Sequence, residues 1–425
     1  MDSRKGRPTR KQPRRKKTQF PLDPALLAQR GLADSGDEPL PAVRIKSATK
    51  NPTIFRKRIA DVDAQAGHGD LVRVLDDSGG LVGCGIWNPR AEATVRLLEW
   101  GAERIDDSWW TKKLAAAVQM RSEFLRINHA DGEETSAYRM VNAEGDGLPG
   151  LVADLYGEIL SIEAFSLGMY QRSGAIAERL ASLCGAKHWV VRPGPATLEQ
   201  EGFAADGFES GSTPEKVKIV EHGVEYEIHP FGGHKTGFFC DQRDNRQKLR
   251  AYCRGQSVLD LCCYSGGFAL NAMAAGAAEV TAVDLDEDAV QMTKRNAKLN
   301  RTSFRAVHAD AFAYMRDMQR NGKTYGVVIL DPPKLIRNRD EASEGQSTYY
   351  DMNRLAASLV APGGLLLTCS CSGLLSMEEF IRTVRAATAD RRPQLLARTG
   401  AAADHPVSMG SLESEYLKCL WLRMQ

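Results

Sequence analysis

The stretch VLDLCCYSGGF, Val258 to Phe268, decides the fold. Val258 to Leu261 reads as a buried strand, Ser265-Gly266-Gly267 as a turn, and a helix follows from about Phe268. A strand-to-helix turn of this kind brings backbone N–H groups and a helix N-terminus up to a ligand. The two glycines are adjacent and no third follows at the dinucleotide spacing, so the G-x-G-x-x-G fingerprint is absent. The turn by itself announces a ligand without naming its class.

What lies downstream narrows the choice. Apolar strands are expected at 256–261, 279–284, 303–310, 325–331, 363–370, 394–400 and 415–424. Helical periods fall between them at 268–276, 287–299, 311–321, 351–361 and 377–389. Strands that are apolar throughout and alternate with helices imply an α/β fold with a parallel sheet covered on both faces. The last two strands have no helix between them and should pair as an antiparallel edge. Five βα units closed by a β-hairpin resemble the seven-stranded, Rossmann-like sheet of class I S-adenosylmethionine-dependent methyltransferases.

In such a sheet ligands bind beyond the carboxyl ends of the strands. The first strand offers Asp260 and the turn Tyr264-Ser265-Gly266-Gly267 there, and the second ends in Asp284, suited to two ribose hydroxyls. The third ends in Asp310, suited to an adenine amine, and the fourth in Asp331-Pro332-Pro333-Lys334. Any one of these acids could equally be a helix N-cap. Three successive strand ends together with the turn favour a cofactor site.

The fifth strand runs out as Thr368-Cys369-Ser370-Cys371-Ser372-Gly373. Period two puts Cys369 and Cys371 on one face, with Cys371 nearer the ligand edge. Cys371 is therefore the candidate nucleophile. Buried filling is the competing role for a cysteine, and it is the one expected of Cys184, Cys253, Cys262, Cys369 and Cys419. Cys84, Cys240 and Cys263 stay open.

Upstream of the opening strand, GGHKTGFFCDQRDNRQKLR (232–250) mixes glycine with charge and reads as a loop packed over the site. Lys235, Thr236 and Gly237 are expected on the cofactor side. Arg243, with Pro332, Pro333 and Lys334, is expected on the substrate side. Before it, residues 116–230 read as a central α+β unit and 41–115 as a small β-domain, expected to be a barrel. A helix from Asp107 to about Arg126 joins them, with Ser108 as its candidate cap.

Residues 1–40 read as tail and linker, rich in proline and without a sustained apolar period. Within 1–17 there are nine basic residues against Asp2 alone, so the rest of a chain of net charge +2 is acidic. Such an arm is a solubilising tail or, more often, a nucleic-acid contact made through counterion release. The N-terminus is too polar for a secretory signal, and no apolar run is long enough to span a bilayer. Nine scattered cysteines among 425 residues suit a reducing, cytoplasmic setting better than a disulfide framework. No metal is expected, because neither paired C-x-x-C nor H-x-x-x-H spacing occurs.

Several stretches together resemble the bacterial large-subunit (23S) ribosomal RNA cytosine-5 methyltransferases that carry an N-terminal PUA domain. They are NPTIF (51–55), NAEGDGLPGLVADLYG (142–157), GHKTGFFCDQRDNR (233–246), YSGGF (264–268), DPPK (331–334), TCSCSG (368–373), ADHP (403–406) and EYLK (415–418). The resemblance implies a PUA-like domain, a central domain and a catalytic domain at 231–425. It further implies S-adenosylmethionine as cofactor, ribosomal RNA as partner, Cys371 as nucleophile and Asp331 as the carboxylate on the target base. The cysteine pair Cys262-Cys263 and Leu335 after DPPK depart from the family pattern, which bears on the RNA site. An exocyclic-amine methyltransferase, gripping its amine with D/N-P-P-aromatic, is one rival; Lys334 stands where that aromatic would be. A non-catalytic RNA-binding or assembly factor is the other. The oligomeric state is left open, a homodimer included.

Overall fold

The computed structural model describes residues 23–33, 38–127, 135–230 and 237–425. The basic arm and the expected ligands Lys235 and Thr236 lie outside the described residues.

The expected strands form one sheet. We label them β1 (Ser257–Leu261), β2 (Glu279–Asp284), β3 (Arg305–His308), β4 (Tyr325–Leu330), β5 (Val360–Ser370), β6 (Gln394–Thr399) and β7 (Lys418–Arg423). Their spatial order is β3-β2-β1-β4-β5-β7-β6. The first five are parallel, and β7 lies antiparallel between β5 and β6. The closing hairpin is therefore inserted so that β7 also pairs with β5. That insertion places Lys418 opposite Ser370.

Five helices cover the sheet: α1 (Gly267–Ala274), α2 (Glu287–Leu299), α3 (Ala311–Arg320), α4 (Ala342–Ser358) and α5 (Met377–Ala387). Leu259, Leu330, Leu366 and Tyr349 pack in one apolar cluster, and Val258, Ile329, Leu367 and Trp421 in another. The alternation along each strand feeds both faces, as doubly covered strands require. Helix α4 begins nine residues before the expected start. Gly345 lies within it, where a Cβ would lie 2.4 Å from Ile336 Cγ1. The glycine permits a close approach inside the helix and does not end it.

Two further sheets precede this one. A six-stranded sheet runs between edge strands Thr53–Ile54 and Ile59–Val62 and includes a parallel pair, Ala42–Ile45 with Leu71–Leu75. A five-stranded sheet holds Ala137–Asn142, Leu151–Tyr156, Ile159–Ala164, His188–Pro193 and Phe208–Glu209. The hairpin Val217–Glu221 with Val224–Ile228 turns at His222-Gly223 as expected.

Two local expectations are corrected. The helix at Asp107–Gln119 is capped by Asp106, whose carboxylate accepts from Trp109 N–H, not by Ser108. Residues 24–32 are not free linker. Leu32 is buried, Arg172 donates to its carbonyl at 3.0 Å, and Gln171 donates to Leu26 O at 2.7 Å. Three leucines within nine residues supply the apolar contact that the surrounding prolines obscure.

Candidate active site

The turn after β1 is built from strained backbone. Cys262 and Tyr264 take left-handed φ values of 62° and 48°, and Gly266 follows at 78°. Such conformations persist only where the surroundings fix them. Here α2 does so: Thr293 donates to Tyr264 O at 2.8 Å and Asn296 to Ser265 O at 3.0 Å. A Cβ on Gly266 would meet Thr293 Cγ2 at 2.9 Å, and one on Gly267 would meet Arg246 Cδ at 2.8 Å. Both glycines answer to close packing as well as to the turn.

Asp284, at the end of β2, accepts the Tyr264 amide at 2.8 Å and the Asp286 amide at 2.9 Å. The Tyr264 hydroxyl donates to Gly237 O at 3.1 Å, tying the upstream segment to the turn. Ser265 is buried beneath it.

Asp260 is fully buried. Its Oδ2 accepts the Ala269 amide at 2.9 Å, while Oδ1 has no partner among the described residues. Burial, aided by the charges of Asp331 and Asp284, pushes its carboxyl up to about 8.

The charges of the four strand-end acids are all felt at one thiol. Cys262 is held neutral, its titration pushed far up by burial and then by Asp284, Asp331, Asp260 and Asp310 in that order. That cysteine also packs against the apolar cluster of Leu259 and Leu330, as expected of a filler. Asp310 is the most peripheral of them. It is exposed, and its Oδ1 caps α3 by accepting the Ala313 amide at 2.9 Å.

Asp331 follows β4. Gln242 donates to its Oδ2 at 3.0 Å, and Asn245 in turn donates to Gln242 Oε1 at 2.7 Å. Gln242 is buried and was not among the expected site residues. Its only sequence signal was membership of the polar segment 232–250.

Cys371 leaves the end of β5 half-buried, its Sγ 4.0 Å from Pro332 O. The fourth and fifth strands thus bring DPPK and the cysteine together. Pro332 is buried, whereas Pro333 and Lys334 are exposed beside it. Cys369, one repeat earlier, is buried opposite Cys419 in the sheet, as filling requires. Cys84, Cys240 and Cys263 are buried too, and all nine cysteines are free thiols.

Arg243, expected on the substrate side, lies inside the protein. It is buried, with Nη1 on Asp404 at 2.8 Å and Nε on Asp244 at 3.0 Å, so two of its donors are engaged inside the protein. Burial works against the charge, but Asp404 and Asp244 outweigh it and raise Arg243 above the usual arginine range. It braces the fold through those two carboxylates.

The comparisons with known proteins agree with this geometry. A family model for the S-adenosylmethionine-dependent methyltransferase matches residues 141–395. The chain belongs to that family. A PUA-like domain model matches residues 45–100. The methyltransferase is 32% identical over 408 residues to Ribosomal RNA large subunit methyltransferase I of Salmonella paratyphi B, covering 94% of this chain and 97% of the relative. The Salmonella typhimurium protein of the same name matches to the same extent, 32% over 408 residues. Among solved structures, a methyltransferase crystallised with SAH has a TM-score of 0.78 at 19% identity, covering 90% of this chain and 99% of that one. A methyltransferase from Streptococcus mutans gives 0.76 at 18%, with the same coverage. These two share the fold.

The methyltransferase uses S-adenosylmethionine, and the site suits it. Asp260 Oδ1, buried and without a partner among the described residues, suits an amine donor. Asp284 keeps lone pairs beyond its two amide contacts for hydroxyl donors. Among the described residues no helix is long and apolar enough to cross a membrane.

Proposed function

We propose that this methyltransferase modifies C5 of a cytosine in large-subunit ribosomal RNA, in a reducing, cytoplasmic setting, through a covalent adduct on Cys371. The observation that carries the reading is the approach of Cys371 Sγ to the DPPK backbone, 4.0 Å from Pro332 O, beside the strand-end acids. The name of the Salmonella relatives, Ribosomal RNA large subunit methyltransferase I, supports the substrate class.

C5 of cytosine is a weak nucleophile. The Cys371 thiolate adds to C6, an S–C6 bond forms, and the C5=C6 electron pair moves onto C5 and the ring. Asp331, braced by Gln242 at 3.0 Å, is assigned to the N3 and amine edge, where it stabilises the charge developing on the ring. S-adenosylmethionine, when bound, supplies an electrophilic methyl group to C5. Asp260, Asp284, Asp310 and the Tyr264–Gly267 turn are assigned to hold it, with Gly237 and the segment before it. Loss of the C5 proton to a base returns an electron pair to the ring. The C6–S bond then breaks and the thiolate is restored. The target base must leave its stack to reach Cys371. The PUA-like sheet and the basic arm are assigned the phosphate contacts.

The test is a Cys371→Ala variant assayed with rRNA from cells lacking the protein. Methyl transfer should be lost while S-adenosylmethionine still binds, and 5-methylcytosine should be missing at one rRNA position in those cells. Undiminished transfer by the variant would sink the adduct. A new mark on adenine N6 or guanine N2 would favour the exocyclic-amine reading.

A further inference from the structure

Lys418 opens the strand KCLWLR, ahead of the apolar run Cys419–Leu422, and it is 2% exposed. Burying an ammonium is costly unless its protons are taken up. Its Nζ donates to Ser372 O at 2.7 Å and to Tyr416 O at 2.8 Å. Both acceptors are neutral carbonyls, so the positive charge itself is not cancelled by them. One of the two belongs to the residue directly after Cys371.

The exit of β5 is fixed on the other side as well. Ser370 donates to the Tyr349 hydroxyl at 2.9 Å, and that hydroxyl lies 3.0 Å from Ser372 Oγ. Ile336, just past DPPK, donates its amide to Ser372 Oγ at 3.1 Å. Cys371 is thus flanked by two anchored serines, with a buried cation on the carbonyl of the second.

We propose that Lys418 is a positioning residue for Cys371, holding the end of β5 in place and stabilising the thiolate with its ammonium. This rests on Cys371 being the nucleophile. The proton lost from the thiol goes to solvent, and Lys418 keeps its own. Burial lowers Lys418 to about 8, and Cys371 leads the groups that oppose the drop. The other groups acting on the ammonium are Glu415 and Cys419 from its own segment and Lys334 from the DPPK loop; Glu379 of α5 also faces it. Tyr349 of α4 faces the thiol. Lys334, the other cation among these groups, is exposed.

The experiment is alkylation of the full-length protein with iodoacetamide from neutral to alkaline pH, with Cys371 followed by peptide mass spectrometry. In the wild type its midpoint should fall below the ordinary cysteine value of about 8.5. Lys418→Met should raise the midpoint by about one unit and slow alkylation near pH 7 about tenfold. Lys418→Arg should stay near the wild type, and SAH affinity, the measure of folding, should hold in both. The acid limb of the single-turnover pH profile should move with the midpoint, which a purely structural role would not cause. A wild-type midpoint at or above the ordinary value overturns the proposal without any variant. So does a Lys418→Met curve that superposes on the wild type. Full methyl transfer by Cys371→Ala would instead overturn the underlying nucleophile assignment, leaving the alkylation result to stand by itself.

Discussion

Asp284 accepts the Tyr264 amide at 2.8 Å, so the acid that ends β2 also holds the turn that follows β1. One carboxylate therefore shapes the cradle and is assigned to the ligand. Removing it costs on both counts. Asp284→Ala should weaken S-adenosylmethionine binding by about tenfold or more, since hydrogen bonds to a charged group contribute about 1.5–3 kcal/mol. Asp284→Asn, which keeps one acceptor oxygen, should lose less. Calorimetric titration with SAH checks both; equal affinity in wild type and Asp284→Ala would remove Asp284 from the cofactor site.

Asp260 makes the binding site pH-sensitive. Its carboxyl sits near 8 in the folded protein, against an ordinary value of 3.8, chiefly because it is buried. A raised acid binds its proton more tightly in the folded state than in the unfolded one. Its contribution to stability therefore falls as pH rises from about 4 towards 8. Asp260→Asn removes the titration, so its melting temperature relative to wild type should rise between about pH 5 and pH 8. A cationic ligand amine favours the ionised carboxylate. Binding to the wild type should therefore release a proton near neutrality, measured by calorimetry in buffers of different ionisation enthalpy. No proton release, or the same release from Asp260→Asn, would contradict this.

The strand-end acids were legible because strand period and βα alternation place them without any knowledge of the partners. Cys371 was legible for the same reason, lying beyond the end of a strand whose earlier cysteine faces Cys419. Charges whose partners are distant in sequence were not. Lys418 reads as a polar interruption until the register sets it opposite Ser370 and its ammonium on Ser372 O. Gln242 reads as one polar residue among many until it meets Asp331, 89 positions away. Arg243 is the opposite case. Its surroundings suggested a ligand, but its partner Asp404 is 161 residues downstream, in a loop with no periodic signal.

That Arg243–Asp404 pair gives the last prediction. Asp404 takes Arg243 Nη1 and the Arg139 amide, each at 2.8 Å, through Oδ2, and meets His405 Nδ1 at 3.0 Å through Oδ1. Its own carbonyl accepts from buried Arg121 at 2.7 Å. Burial alone would raise its carboxyl, but His405 and Arg243 outweigh burial and hold it well below the ordinary range. A depressed acid stabilises the fold above its unfolded value, and that contribution is lost as pH falls through the folded one. The protein should therefore lose stability progressively below about pH 4, and Asp404→Leu should lose less over that range. Breaking one side of a buried pair strands the other charge, so Arg243→Met should cost about 3–5 kcal/mol in urea unfolding. Arg243→Met combined with Asp404→Leu should recover much of it, because neither charge is then left dehydrated. SAH affinity of the folded fraction should stay at the wild-type value in all three variants. If Arg243→Met left stability unchanged and weakened RNA binding instead, Arg243 would return to the substrate side and Asp404 would need another counter-charge.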